Sequence, residues 1–271
     1  MPSCSFQQRL QLTINYLAQY NLAWKIALAS KGMAAPGLLA TYDIERMPIA
    51  AQMLAATTAL YKHLVPGKAE GAAQPQSQTD GAADPTKSGF MQWRNRALTQ
   101  LEINYRFSPI VLDARGSGGR TEDEMRARAY DGYGPEGGVR AGDRAPDAPG
   151  LVDAAGKETS LFDVFKPTVH TILVFVSGKD GEDAKVATIV EEAKKYPGGT
   201  VQVVVIGLDG VPVAALDAKA YHDKDGLAAG AYRVDDDAPR VVVVSPDAYV
   251  GAFVNDVAGV RDYFTKIFNG M

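Results

Sequence analysis

Hydrophobic and polar positions follow a helical period in the first part of the chain. Apolar residues recur every three or four positions from Tyr16 through Tyr20 and Trp24 to Leu28, and again over residues 49–64. This spacing places them along one side of a helix. We therefore expect a helix that ends at residues 31–32, a short helix after Pro36, and a longer one that Pro48 restarts.

After residue 142, short apolar runs alternate with amphipathic segments. Two apolar strands joined by a helix predict a parallel βαβ unit, and a Ser-Pro-Asp turn at 245–247 predicts an antiparallel hairpin. The fold class is therefore α/β. The expected strands are 171–176, 201–208, 240–244 and 249–253, with strand or turn at 151–152, and the expected helical segments are 161–165, 184–196, 214–221 and 256–268.

Two low-complexity stretches divide the chain. Residues 66–89 contain almost no large apolar side chain, which predicts a flexible linker, and residues 114–141 predict a Gly-rich linker with one short helix at 122–129. Between them we expect a helix at 91–101 and a strand at 102–107. The predicted organisation is a helical part at 1–65, the linker 66–89, helix plus strand at 90–113, the linker 114–141, and an α/β domain at 142–271.

Composition narrows the classes of function. The 271 residues carry a formal net charge of −4, which gives no reason to expect a nucleic-acid or membrane partner. The N-terminal residues lack the pattern of a secretory signal, so we expect a cytoplasmic protein. Cys4 is the only cysteine and the three histidines lie far apart, which excludes a disulfide within the chain and predicts no metal site.

Four stretches resemble FAD-dependent aromatic hydroxylases of the phenol 2-monooxygenase type. Residues 21–25 (NLAWK) and 42–48 (YDIERMP) resemble the C-terminal end of the flavin-binding domain of these enzymes. Residues 142–147 (GDRAPD) and 244–251 (VSPDAYVG) resemble the entry and a hairpin of their thioredoxin-like C-terminal domain. The resemblance covers residues 18–268. It implies a thioredoxin-like domain preceded by a helical remnant of a flavin-hydroxylase domain.

The chain departs from this family where the flavin would bind. The family holds FAD with a βαβ unit that carries GxGxxG, and no such unit precedes Asn21. The family's flavin helix begins with Asn-Thr-Gly, but Thr13, Ile14 and Asn15 stand at those positions within a run that does not match. The glycines at 116–119 lack the third glycine and the following strand. We therefore expect no catalytic residue and no FAD or NADPH bound by this chain alone.

Several residues allow both a chemical and a structural interpretation. Glu45 and Arg46 suggest an acid–base pair, but a structural ion pair at a helix junction is the better hypothesis. His170 suggests a general base, but a surface or hydrogen-bonded histidine is favoured, and His222 is expected to be solvated. The acids at 235–237 favour a solvated turn over a cation site. The aromatic stripe around Trp24 favours a core or interface over a substrate pocket.

The resemblance implies a truncated homologue of enzymes that hydroxylate phenols with FAD, NADPH and O2. We expect it to be inactive alone and to act as a dimerisation or partner module, as a homodimer or with a full-length relative. An alternative is a scaffold repurposed as a non-redox biosynthetic enzyme that guides cyclisation and takes a small aromatic ligand. An enclosed apolar pocket would favour that alternative. Thioredoxin-type redox chemistry is excluded, because residues 177–181 contain no thiol.

Overall fold

The computed structural model describes residues 19–64, 103–116, 119–129, 138–208, 218–234 and 240–270. Within them the strands are β1 (Leu112–Asp113), β2 (Pro149–Asp153), β3 (Glu158–Ser160), β4 (His170–Val176), β5 (Val201–Gly207), β6 (Lys219–Asp223), β7 (Val241–Val244) and β8 (Val250–Val254). They form one mixed sheet in the order β1-β8-β7-β4-β5-β6-β2-β3.

The helices lie on both faces of this sheet. They are α1 (residues 19–30), α2 (Ala40–Leu64), α3 (Glu122–Ala127), α4 (Leu161–Val164), α5 (Glu182–Ala193), α6 (Leu227–Tyr232) and α7 (Val257–Thr265). Among these described helices, none combines the length and the apolarity needed to cross a membrane.

The centre of the sheet agrees with the predicted pattern. Strands β4 and β5 are parallel and joined through α5, and β7 pairs antiparallel with both β4 and β8. Every residue of β4 is buried. Because side chains alternate across a strand, Ile172 and Val174 enter one apolar core and Leu173 and Phe175 the other. The prediction of an α/β fold with a central βαβ unit and a later hairpin is confirmed.

The N-terminal helices belong to the same folded body as the sheet. Trp24 and Leu28 of α1 lie in the core that α5 and α7 cover. The backbone continues this contact, because Ala35 donates to the carbonyl of Ile267 at 2.8 Å and Asn269 donates to that of Met33 at 2.8 Å. The first helical part is therefore attached to the end of the chain.

Helix α2 differs from the sequence prediction. It is one helix of 25 residues that contains Pro48, so Pro48 does not restart it, and residues 36–39 form turns instead of a short helix. Proline removes one hydrogen bond from a helix interior. Here Thr41, Glu45 and Ile49 are buried on both sides of the proline. These three buried side chains hold the segments before and after Pro48 against the rest of the protein, which explains why the helix continues through the proline.

The predicted strand at 102–107 is wrong for its described residues. Ile103, Tyr105 and Phe107 are buried, so the alternation that suggested a strand is present. The backbone is not part of a ladder, because Tyr105 donates to the carbonyl of Gly142 at 2.7 Å and the preceding residue donates to that of Ala129. A short strand forms only at β1. The predicted helix at 91–101 and the linker at 66–89 lie outside the described residues.

Two further segments depart from expectation. Residues 219–221, predicted as the end of a helix, begin β6, which pairs with β5 on one side and β2 on the other. Pairing with two strands outweighs the weak helical pattern there. In the predicted Gly-rich linker, α3 begins with a capping box formed by Thr121 and Glu124. Ala129 is fully buried against Ile103 and its neighbours, so this described part is packed.

Candidate functional site

A buried polar cluster lies where α1 and α2 meet the turn between β7 and β8. We define this junction cluster as Asn21, Lys25, Glu45, Ser108 and Asp247. Asn21 and Lys25 lie one turn apart and therefore share a side of α1. Glu45 comes from the buried side of α2, Ser108 from the segment before β1, and Asp247 from the hairpin turn. Four separate parts of the chain thus meet in one polar site.

The centre of the junction cluster is the ion pair of Lys25 and Glu45. The distance from Nζ to Oε2 is 2.6 Å, and the side chains are 0% and 2% exposed. Nζ also donates to the hydroxyl of Thr41 at 2.8 Å, and that hydroxyl donates to the carbonyl of Leu38 at 2.7 Å. A buried ion pair is tolerated when further hydrogen bonds satisfy its atoms. This pair meets that condition.

The remaining members connect Glu45 to the hairpin. The Ser108 hydroxyl donates to Glu45 Oε1 at 2.7 Å, and the Asn21 amide donates to Glu45 Oε2 at 2.8 Å and to Asp247 Oδ2 at 3.1 Å. The Ser245 hydroxyl donates to the other oxygen of Asp247. Burial raises the pKa of Asp247 above its ordinary value, although these hydrogen bonds and Lys25 oppose the shift. Each carboxyl is thus held by hydrogen bonds within the protein.

Arg46 points away from Glu45 toward two tyrosines. Its Nη1 donates to the Tyr105 hydroxyl at 3.2 Å, and the Tyr105 and Tyr249 ring centroids lie 4.5 Å apart. Burial raises the pKa of both phenols. The expected ion pair between Glu45 and Arg46 is wrong, because adjacent residues on a helix do not face each other. Glu45 pairs with Lys25 instead.

The space inside the junction cluster is too small for a substrate. A cavity of about 20 Å³ is lined by residues that include Asn21, Trp24 and Tyr263. That volume accommodates about one water molecule. An aromatic ring or a flavin does not fit there, so the hydrogen bonds of the cluster serve to join the helices to the sheet.

The two histidines singled out in the sequence lie elsewhere. His170 is the first residue of β4, is 1% exposed, and packs edge-on against Trp24 and Phe264, with ring centroids 5.2 and 5.5 Å away. Burial lowers the pKa of His170 to about 3, so its ring is neutral. It is a core residue and not a surface histidine. His222 is half-buried in β6, 3.3 Å from the Gly207 carbonyl, instead of lying in a solvated loop.

A larger cavity, of about 210 Å³, lies between α3 and the segments before β1 and β2. We call it the arginine cavity. Its lining consists of Arg106, Arg120, Arg128 and Arg140, together with Val111, Asp113, Gly116, Met125 and Ala141. Guanidinium groups dominate its polar lining.

Neither the cavity inside the junction cluster nor the arginine cavity has room for FAD. Pockets for drug-sized ligands have about 300–1,000 Å³, and both cavities are smaller. The turn from β4 into α5 leads into a helix, as phosphate-binding turns do. In this turn the amides of Ser177 and Lys179 donate to the carboxylate of Glu182, at 2.7 and 3.2 Å. The Glu182 carboxylate therefore takes the hydrogen bonds that a phosphate would accept. Thr13, Ile14 and Asn15 lie outside the described residues.

No metal site is found in the described part of the chain, where no three His, Cys, Asp or Glu side chains converge. The acids at 235–237 lie outside it. The sequence resemblance includes Asn21 and Lys25 in a motif but predicts no role for them. Their position on the apolar side of α1 is the one sequence feature that indicates burial. The sequence pattern predicts neither the role of Asp247 nor the arginine cavity.

Sequence comparisons identify relatives of this chain. Residues 18–57 match the family model described as FAD binding domain, and this region contains α1 and most of α2. A flavin-dependent monooxygenase of Mycobacteroides abscessus is 35% identical over 157 residues, which are 58% of this chain and 23% of that protein. Phenol 2-monooxygenase of a Pseudomonas species is 28% identical over 252 residues, covering 86% of this chain and 37% of that protein.

Solved structures show the same fold. The flavin-dependent monooxygenase PieE, in complex with FAD and substrate, has a TM-score of 0.53 at 22% identity over 92% of this chain and 42% of its own. RebC, a rebeccamycin biosynthetic enzyme, has a TM-score of 0.55 at 21% identity over 94% and 41%. The chain thus spans less than half the length of each of these proteins. Both curated relatives, from Mycobacteroides abscessus and Pseudomonas, are monooxygenases by name, and the first is a flavin-dependent one.

Proposed function

We propose that this chain is a homologue of part of the FAD-dependent aromatic monooxygenases and acts as an association module without ring hydroxylation of its own. Two observations support the absence of activity. The described cavities are too small for FAD, and the polar groups of α1 and α2 bond to each other and to the sheet. The reaction with FAD, NADPH and O2 is assigned to full-length relatives.

The sheet and its helices are proposed to form a thioredoxin-like domain. The support is the order of elements, in which a parallel β4-α5-β5 unit precedes the antiparallel hairpin β7-β8 and the final helix α7. The domain has no redox role in this proposal. The turn after β4 carries Ser177, and its hydroxyl and amide bond to Glu182.

The exposed side of α2 carries the argument for association. Ile44, Met47, Ala51 and Leu54 lie within a narrow stripe of the helix, and all four are exposed, Met47 and Leu54 at 68% each. The buried side of the same helix already carries Glu45 and the other anchors. Apolar side chains grouped on an outward face are typical of interaction surfaces. We propose a homodimer formed through this α2 stripe.

Light scattering after size-exclusion chromatography tests the association. The native chain is expected to have the mass of a dimer, and Met47→Lys with Leu54→Lys is expected to give a monomer, because each lysine would place a charge in the apolar contact. Leu227→Lys is the matched control, since Leu227 is also an exposed apolar residue but lies on α6. A native monomer, or a dimer that the double variant leaves intact, would contradict the homodimer.

Titration with FAD tests the lack of flavin chemistry. We expect no saturable quenching of flavin fluorescence and no flavin absorption after desalting. Stoichiometric binding would show that residues outside the described part rebuild a cofactor site. A native monomer that forms a complex with a purified full-length phenol monooxygenase would support association with a relative instead of self-association.

The alternative of a repurposed biosynthetic enzyme lacks support from the described residues. That function needs an enclosed apolar pocket with a few convergent polar groups. The larger of the two cavities is lined by four arginines, and the smaller holds about one water molecule. We therefore retain association as the proposed function.

A further inference from the structure

The arginine cavity is lined by charged groups that have no part in the proposed association through the α2 stripe. Two ion pairs beside it neutralise four of the charged groups. Arg106 holds Asp143 with two hydrogen bonds, at 2.7 and 3.0 Å. Arg115 holds Asp113 in the same way, at 2.8 and 2.9 Å, and the amide of Ala141 donates to Asp113 at 3.1 Å. The carboxylate in the lining is therefore compensated and does not repel an anion.

Arg120 and Arg140 are different. Both side chains line the cavity and both residues are half-buried. Neither guanidinium forms a hydrogen bond or a close ion pair with any residue that the structure describes; Arg140 interacts with Asp143, and Arg120 with Glu124, only through longer-range electrostatics. A partly desolvated cation without a directly bonded counter-charge is costly, and a planar guanidinium presents paired donors to an oxyanion. The cavity therefore contains two guanidinium groups that no described carboxylate binds directly.

The remaining lining limits the size and chemistry of a ligand. Val111, Met125 and Ala141 contribute apolar surface beside the guanidinium groups. A volume of about 210 Å³ is below the usual range for drug-sized ligands, which excludes a dinucleotide. Two guanidinium groups without a directly bonded carboxylate match one dianion. A phosphate monoester carries a charge close to −2 at neutral pH and three acceptor oxygens.

We propose that the arginine cavity binds a small phosphate monoester, with Arg120 and Arg140 holding the phosphate group. The apolar side chains contact the organic part. This site shares no residue with the α2 stripe and does not rest on the proposed association. It predicts a binding activity for this chain that is separate from flavin chemistry.

Calorimetric titration with phenyl phosphate at constant ionic strength and neutral pH tests the proposal. The native chain is expected to bind one molecule. Arg120→Gln and Arg140→Gln are each expected to weaken binding at least tenfold, because each removes a charge-assisted contact. Arg126→Gln is the matched control, since Arg126 lies on α3, which borders the cavity, but pairs with Glu122 and Asp123 outside the lining. Its affinity is expected to stay within about twofold of native.

Several results would overturn the proposal. They are no saturable binding to the native chain, equal weakening in all three variants, or binding of succinate as tight as that of phenyl phosphate. Circular dichroism of each variant establishes that it is folded. If Arg140→Gln unfolds, the affinity of Arg120→Gln alone tests the proposal. We expect this variant to fold, because the Arg120 side chain forms no hydrogen bond with the described residues.

Discussion

The ion pair of Lys25 and Glu45 provides the sharpest test of how the N-terminal helices are held. Replacing Lys25 by Met keeps a similar side-chain length but leaves the Glu45 carboxylate buried without its cation. Both side chains are essentially inaccessible, at 0% and 2% exposure. Breaking a buried pair in this way costs about 3–5 kcal/mol. We expect the free energy of unfolding to fall by that amount.

The double variant separates the pair from its surroundings. Glu45→Met alone is expected to be similarly costly, because it leaves the Lys25 cation buried. Lys25→Met with Glu45→Met removes both charges, and a hydrophobic replacement of a whole buried pair is often close to neutral. The double variant should therefore lose much less stability than the sum of the single variants, with a coupling of about 2–3 kcal/mol. Residual cost is expected from Ser108 and Asn21, which lose their acceptor.

Urea unfolding followed by circular dichroism gives the three free energies. Trp24 fluorescence gives a second probe once the other tryptophan is replaced by Trp93→Phe, since the Trp24 ring lies next to Lys25 and is 5% exposed. Glu45→Gln is the control that retains an acceptor oxygen for Ser108 or Asn21 and removes only the charge. Single variants that cost less than 1 kcal/mol, or strictly additive effects in the double variant, would refute the view that this pair anchors α1 and α2.

Three other perturbations test separate parts of the fold. The pKa of His170 is about 3 in the folded protein, below its unfolded value of 6.5. The stability that neutral His170 contributes is therefore complete above pH 6.5 and falls toward pH 3 by up to about 1.4 kcal/mol per pH unit. The urea midpoint should consequently change less between pH 5 and pH 7 in His170→Leu than in the native chain. Gly142→Ala should destabilise by about 2 kcal/mol or more in urea unfolding, because Gly142 has a φ of +90° and a Cβ would lie 2.4 Å from the Arg106 nitrogen; an unchanged midpoint would contradict this. The hydrogen bond from Arg261 is the largest cause that lowers the pKa of Glu192 from its ordinary 4.5 to about 2. The stability that this shift gives is complete above pH 4.5 and is lost as the pH falls toward 2. Arg261→Gln should therefore be less stable than the native chain at pH 6 and nearly equal to it at pH 2, and a difference that stays constant with pH would argue against this role.

Local pattern was sufficient for the central sheet and insufficient for the polar contacts. Strands β4 and β5 are continuous apolar runs, and their parallel pairing through α5 follows from general rules of chain connection. The junction cluster depends on partners distant in sequence, such as Asn21 and Asp247, which are separated by 226 positions. No periodicity relates such residues. The fold brings them together only after the helices lie on the sheet.

The arginine cavity illustrates the same limit in another way. Arg106, Arg120 and Arg140 come from three irregular segments, two of them within or next to a stretch whose composition suggested a linker. Glycine content indicated flexibility, but the described part contains a capped helix and the buried Ala129. Composition averages over a stretch and therefore misses a few residues that pack. Their burial, and the cavity beside them, became visible only in three dimensions.

The distribution of polar and apolar groups on α1 and α2 is the main argument for the proposed association. These helices match a family model described as FAD binding domain. Their polar residues Asn21, Lys25 and Glu45 bond to one another and, through Asp247, to the sheet. The apolar α2 stripe remains outside. A segment whose polar groups are engaged internally and whose apolar groups face outward is better suited to bind another protein surface than a charged dinucleotide.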